Sequence, residues 1–306
     1  MENFYQQVHP VKYRKAVIPQ NAELFNGVKW LLQEKYNGKL TPRAKKDIQR
    51  LKQGEPLDYI IGFIEFLGCK IDLSKKPLIP RLETEFWAEK VIEEIVKPFA
   101  VAQAIGSDES QAQRGKIFNS LKILDMFAGS GAIGVSIMSR LQGNRGSSYL
   151  NAKASGSGRQ MPNTQVTFAD SEKNCIEQIA INCKLNHINK KRYKIIQSDV
   201  FSNIKGAYDV IVANPPYIPK RKKHKVQISV LDYEPEAALF GGKDGLFYTE
   251  KFLAEAKNFL SPGGQIFMEF DSPQKNQIGN ILKKYHYKKF SFHKDQFGKF
   301  RYVVIQ

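Results

Sequence analysis

LKILDMFAGSGAIGVSIMSRL, residues 121–141, runs from an apolar strand through a glycine turn into an apolar helix. Gly129, Gly131 and Gly134 fit G-x-G-x-x-G directly after the strand and at the opening of the helix, where small residues let a ligand approach the backbone. A strand, a tight turn and a helix in this order begin a doubly wound α/β sheet, whose ligands sit beyond the carboxyl ends of the strands.

Outward from this stretch the alternation continues. Strand-like 165–170, 193–199, 208–213 and 263–270 are separated by helical patterns at 172–186 and 246–260. The last stretch, 287–306, reads as two antiparallel strands around a turn near Gly298. A closing hairpin on a doubly wound sheet is more typical of methyltransferases than of dehydrogenases. The expected architecture is therefore a Rossmann-like class I methyltransferase sheet with a C-terminal antiparallel hairpin and a small helical N-terminal domain. The expected divisions are a helical domain at 1–56, a β-hairpin linker at 57–80 and the sheet domain at 81–306. Thr41 and Pro42 start the second N-terminal helix, and Gly and Pro punctuate β-rich pieces between residues 54 and 85. Residues 100–116 lack periodicity and 142–163 are rich in Gly, Ser and Asn, so both read as flexible insertions.

The chain has 306 residues, with 47 Lys+Arg against 30 Asp+Glu and a formal charge of +17, which favours an acidic or polyanionic partner. Of the basic residues 36 are Lys and 11 Arg, and Lys is a point charge rather than a bidentate phosphate reader, so a merely solvated basic surface competes with a functional one. Part of the charge clusters in the loop 220–225, immediately after Asn214-Pro215-Pro216-Tyr217-Ile218-Pro219. No apolar run reaches the ~20 residues needed to span a bilayer, and the N-terminus lacks a signal-peptide core, so a cytoplasmic protein without membrane contact is expected. Cys69, Cys175 and Cys183 are an odd number without C-x-x-C, which speaks against a disulfide framework and a zinc site. No metal is expected, and a monomer is the working expectation.

Three acids stand at three consecutive strand ends. Asp125, before the glycine turn, suits the amino group of a methionine-type cofactor better than a phosphate. Asp170 can accept from both ribose hydroxyls, and Asp199 from an exocyclic adenine amine with Val200 beside the ring. Phe127, Ala128, Gly129, Ser130 and Gly131 complete this pocket. The fourth strand ends in Asn214-Pro215-Pro216-Tyr217. A planar amide nitrogen is a poor nucleophile because its lone pair is delocalised, so a site that alkylates it must hold both N–H bonds and aim the nitrogen. The Asn214 side-chain oxygen and the Pro215 carbonyl can be those acceptors, the prolines stiffen the loop, and Tyr217 offers a ring face to the planar group.

On these residues the chain resembles the HemK/PrmC family of S-adenosylmethionine-dependent methyltransferases, which act on the side-chain amide of a glutamine. The likeness covers roughly residues 21–306. It is carried by Gly54-Glu55-Pro56-Leu57-Asp58-Tyr59-Ile60-Ile61-Gly62 and Glu65-Phe66, by Ile79-Pro80-Arg81-Leu82-Glu83-Thr84-Glu85 and by Asn214 to Tyr217. Glu234-Pro235, the stretch 239–246 and Asp295-Gln296-Phe297-Gly298-Lys299 add to it. The resemblance implies S-adenosyl-L-methionine as cofactor, Asn214 on both cofactor and substrate, and the Gly-Gly-Gln loop of peptide chain release factors as substrate, with a ribosomal protein as a sister branch's target. Where many members carry glycine first in the cofactor loop this chain has Phe127, and where an aromatic commonly follows the third acid it has Val200.

Two other readings stay open on sequence grounds. Asn-Pro-Pro-Tyr is shared with methyltransferases of adenine and guanine amino groups, and the basic loop 220–225 would suit ribosomal RNA or DNA, or proximity to the ribosome. A non-catalytic cofactor-binding scaffold is the third reading, against which the intact Asn214 and Tyr217 speak.

Overall fold

The computed structural model describes residues 20–104, 120–141 and 163–306 and separates into two compact units. Of the described residues, 20–63 and 227–233 make up the smaller unit. Its helices are α1 (Gln20–Tyr36), α2 (Pro42–Lys52) and α3 (Leu57–Ile61). Thr41 caps α2, its hydroxyl accepting from the Ala44 N–H at 3.1 Å, and Pro42 fills the first turn, where an N–H would have no partner. Leu31, Ile60 and Ile61 are buried together, with Trp30, Ile48 and Leu51 packed around them. The one acid of α2, Asp47, points inward and accepts from Lys35 Nζ at 2.8 Å, Tyr36 Oη at 2.7 Å and Arg50 Nη1 at 2.6 Å. Burial alone would raise its pKa, but these donors hold the carboxyl below the usual range. With its acid spent internally, α2 shows solvent the basic side chains of Arg43, Lys45 and Lys46.

The larger unit begins with a hairpin of β1 (Phe63–Phe66) and β2 (Cys69–Asp72), followed by α4 (Leu82–Ala104). Then come β3 (Ser120–Met126), α5 (Ala132–Leu141), β4 (Asn163–Asp170), α6 (Lys173–Leu185), β5 (Tyr193–Gln197) and β6 (Tyr208–Ala213). After α7 (Ile228–Tyr233), which belongs to the smaller unit, follow α8 (Glu236–Leu239), α9 (Phe247–Glu255), β7 (Leu260–Glu269), α10 (Lys275–Lys284), β8 (Phe290–Lys294) and β9 (Phe300–Ile305). The seven-stranded sheet has the order β5-β4-β3-β6-β7-β9-β8. β3 to β7 pair parallel with one another, and β9 pairs antiparallel with both β7 and β8. This is the class I methyltransferase sheet with its closing hairpin, as the alternation and the final hairpin of the sequence lead one to expect.

The central strands carry unbroken apolar runs because helices cover both faces. On one face Leu124, Met126, Ile211, Ala213, Ile266 and Met268 pack against Phe252 and Leu253 of α9 and Ile278 and Leu282 of α10. Cys69, Cys175 and Cys183 are free and buried, the latter two on α6. That helix also turns a row of amides toward β2. Asn186 accepts from the Lys70 N–H at 3.1 Å and donates to its carbonyl at 2.8 Å, Asn182 accepts from the Asp72 N–H at 2.8 Å, and Gln178 accepts from the Lys75 N–H at 2.8 Å. Spaced by four residues on one helix face, they pair the edge of the hairpin as a further strand would. No helix among the described residues is long and apolar enough to cross a membrane.

Three boundaries differ from the sequence expectation. Residues 57–61 are helical rather than part of a hairpin, because Pro56 precedes the first turn and Gly62 ends it at φ 98°. Helix α4 runs on through Ala104, so the backbone of 100–104 is regular, and β4 already starts at Asn163. The remaining positions of the expected insertions, and residues 1–19, lie outside the described residues.

At Gly134 an added Cβ would lie 2.3 Å from a Phe168 ring carbon and 2.9 Å from Asp125 Oδ2, whereas at Gly279 it would meet nothing closer than 3.9 Å. Gly134→Ala should therefore lower stability by roughly 1–3 kcal/mol through overpacking. Gly279→Ala, inside α10, should raise it by about 0.5–1 kcal/mol. Urea unfolding of the two variants checks both signs.

Candidate active site

The turn after β3 places three residues in the left-handed region, Phe127 at φ 58°, Gly129 at 54° and Gly131 at 77°. Only glycine takes this conformation without cost, and Phe127 is held in it by edge-on ring contacts with Tyr248 and Phe252 of α9, 6.1 Å between centroids in each. The turn is tied to β4 by the Ala128 N–H on the Ala169 carbonyl (3.0 Å) and the Gly129 N–H on Asp170 Oδ2 (2.8 Å). A Cβ added at Gly129 would meet no atom within 4 Å, so the loop backbone is bare on that side. The open side faces a cavity of about 150 Å³, lined among others by Phe127, Ala128, Gly129, Ser130, Asp170, Asp199, Val200, Asn214 and Pro216.

Not every expected site residue reaches that wall. Asp125 is 1% exposed and sits behind the loop, with Oδ2 accepting from the Gly134 N–H at 2.9 Å and Oδ1 unpartnered. Burial, partly offset by that N–H, pushes its pKa up to about 8. The carboxyl expected at the cofactor's amino group thus lies behind the loop and outside the cavity lining, where it holds the loop's backbone. Gly131 also faces inward: a Cβ there would press on Ile179 of α6 at 3.2 Å, so this glycine serves helix packing.

Asp170 does face the cavity, although burial raises its pKa against the Glu172 and Gly129 N–H groups that favour the ionised form. Asp199 is exposed and accepts from Lys251 Nζ at 2.7 Å. Val200 is buried at φ 52°, an uncommon conformation for a β-branched residue, and makes the wall beside Asp199.

Asn214 follows β6 and reaches the wall, while Pro215 is buried beneath it. Tyr217 is absent from the lining and donates its hydroxyl to Glu269 Oε1 at 3.1 Å. The stretch 239–245 packs against this loop backbone to backbone. The Ile218 N–H donates to the Leu239 carbonyl (2.9 Å), and the Gly241 N–H donates to the Ile218 carbonyl (3.0 Å). A Cβ on Gly241 would lie 2.3 Å from the Pro216 carbonyl oxygen and one on Gly245 2.2 Å from that of Tyr217, which is why side chains are excluded there. Arg81 and Glu234 form a 2.6 Å ion pair, and the Ile79 N–H donates to the same carboxylate at 3.1 Å, which joins two wall segments carrying Pro80 and Pro235. Sequence reasoning missed Tyr248, Lys251 and Gln274. Tyr248 and Lys251 come from α9 and carry no local pattern beyond ordinary helix, while Gln274 ends the 3-10 turn Ser272–Gln274 before α10, where its side chain closes a capping box with Asp271.

A family model described as methyltransferase small domain matches residues 154–233. A release factor glutamine methyltransferase of Lactococcus lactis subsp. lactis is 31% identical over 94% of this chain and 91% of its own length. The chain belongs to the release factor glutamine methyltransferase family. Another relative of that name, from Clostridium botulinum, is 32% identical over 82% of this chain and 76% of its own length. Among solved structures, the hMettl16 catalytic domain in complex with MAT2A 3'UTR hairpin 6 superposes with a TM-score of 0.51 at 11% identity. It covers 86% of this chain and 79% of that one, a likeness of fold alone.

The raised Asp125 pKa has a definite sign in this family member. A carboxyl neutral in the folded state and ionised when unfolded contributes stability that is fully present below about pH 4 and lost as pH rises through about 8. Asp125→Asn, which keeps the acceptor for Gly134, should flatten that loss. Against wild type, the gain in chemical-denaturation stability between pH 5 and pH 9 should be on the order of a few kcal/mol.

Proposed function

We propose that the chain transfers the methyl group of S-adenosylmethionine to the side-chain amide nitrogen of a glutamine, the one in the Gly-Gly-Gln loop of a peptide chain release factor. The observation that carries this reading, beside family membership, is Asn214 on the same cavity wall as the glycine loop, at the end of the strand next to β3. When bound, the cofactor supplies an electrophilic methyl group. The residues present fit it. The bare backbone at Gly129 admits a close ligand, Asp170 offers carboxylate oxygens at the distance of a strand neighbour for ribose hydroxyls, and Asp199 and Val200 border the place for an adenine.

The chain's own work is positioning. The Asn214 side-chain oxygen and the Pro215 carbonyl accept the two N–H bonds of the substrate amide, so its nitrogen is presented in one orientation. Tyr217 packs on the planar group, and Pro216 limits the loop's freedom. As the methyl group moves, S-adenosylhomocysteine is released, and the nitrogen, strongly acidic once alkylated, loses one proton to water without a strong base, while approximation and orientation supply most of the rate gain. The helical unit, with its exposed basic face on α2, docks the body of the protein substrate. The six-residue basic turn at Lys220–Lys225 receives acidic surface of the release factor near the entrance, or RNA where the factor is met at the ribosome. The protein works as a cytoplasmic monomer.

Incubation with intact release factor and labelled cofactor should place one methyl group on the loop glutamine by mass spectrometry; label found only on a nucleic-acid base, or none at all, overturns the assignment. Asn214→Ala should lower kcat about 100-fold or more. Replacing Lys220, Arg221, Lys222 and Lys225 with Gln should raise KM for release factor several-fold, more so at low salt, with cofactor affinity unchanged by calorimetry.

A further inference from the structure

We propose that Glu269 is a positioning residue for the transfer, acting through Tyr217 on the loop that grips the substrate amide. The inference rests on the reading of Tyr217 given above. Glu269 is the last residue of β7, the strand beside β6, and follows Met268, the register partner of Ala213 immediately before Asn214. Its carboxylate is 1% exposed, and donors from three directions converge on it. Thr84 Oγ1 donates to Oε2 at 2.7 Å and Trp87 Nε1 to the same oxygen at 2.5 Å, both from α4, while Tyr217 Oη donates to Oε1 at 3.1 Å. Five residues further on, Gln274 takes the other end of Tyr217. Its Nε2 donates to the Tyr217 carbonyl at 3.0 Å and to the Gly245 carbonyl at 3.1 Å, and its Oε1 accepts from the Asp271 N–H at 3.2 Å. Tyr217 is therefore held by its phenol and by its carbonyl, from one strand end.

The loop needs both grips. Pro215 and Pro216 fix their own φ, but the torsions that swing the Tyr217 ring over a substrate are set by nothing local. A buried carboxyl is costly, and an apolar side chain would fill the end of β7 at less cost, so a carboxyl where three donors meet marks a place where orientation outweighs stability. Thr84 also lines the cavity, so the same carboxylate links its wall to the Tyr217 ring.

The test uses the full chain, intact release factor and labelled cofactor. Glu269→Gln keeps the shape and one acceptor for Thr84 and Trp87 but turns an N–H toward the phenol oxygen, which reverses the bond and leaves the phenol O–H without its acceptor, and Tyr217→Phe removes the same O–H donation from the other side. Each should lower kcat about 10-fold or more, with KM for release factor, calorimetric cofactor affinity and melting temperature close to wild type. The double variant should be no slower than either single one, because both remove the donation of the phenol O–H to residue 269. Unchanged kcat in Tyr217→Phe, additive losses, or losses confined to KM would overturn the proposal, and Tyr217→Phe carries the test should Glu269→Gln unfold. A second readout needs no substrate: in NMR of ring-labelled tyrosine, the Tyr217 hydroxyl proton should exchange slowly with water in wild type and fast in Glu269→Gln. Identical hydroxyl exchange would sink the clamp, whereas failure of wild type to methylate release factor, with the exchange difference present, would remove only the substrate reading.

Discussion

Two carboxyl groups from neighbouring strand ends hold the glycine turn after β3 in shape. Asp125 takes the Gly134 N–H from behind, and Asp170 takes the Gly129 N–H from the cavity side. Between them the backbone runs through three left-handed positions and leaves one side bare of side chains. Everything the cavity can do depends on that bare side. The two acids differ in environment. Asp125 is sealed, with one oxygen unpartnered and its pKa raised to about 8, whereas both Asp170 oxygens meet backbone N–H groups and its carboxyl still borders the cavity. One therefore shapes the loop and the other is left to meet a ligand.

The loop that carries Asn214 is built by exclusion. Gly241 and Gly245 let the segment 239–245 lie against the carbonyls of Pro216 and Tyr217 closer than any side chain allows. Proline stiffness along the loop, glycine closeness beside it and the grip of Glu269 and Gln274 at its end restrict the same few torsions. For a reaction whose nucleophile is weak and must be aimed, such restriction is where binding energy is best used.

The net charge of +17 resolves into local arrangements. In α2 the single acid is drawn inward by three donors, so the charge this helix shows to water is basic. Lys251 and Lys223 are occupied by Asp199 and Glu236. A total charge therefore says little about where a polyanion or an acidic protein would meet the surface.

Periodicity and punctuation in the sequence determined the parallel sheet, the closing hairpin and the strand ends that bear Asp170, Asp199 and Asn214, because these depend on short-range alternation and on residues whose backbone preferences are intrinsic. The helix at Leu57–Ile61 and the onward run of α4 escaped it, since short apolar stretches suit strand and helix alike until their neighbours are known. The inward turn of Asp125, the ring contacts that let Phe127 occupy a glycine conformation, and the meeting of Thr84, Trp87 and Tyr217 on Glu269 were decided by tertiary structure alone. Thr84 and Glu269 are 185 residues apart in the chain, and no local pattern can say which buried carboxyl will meet which donor. Only packing of the helices onto the sheet brings them within hydrogen-bond reach.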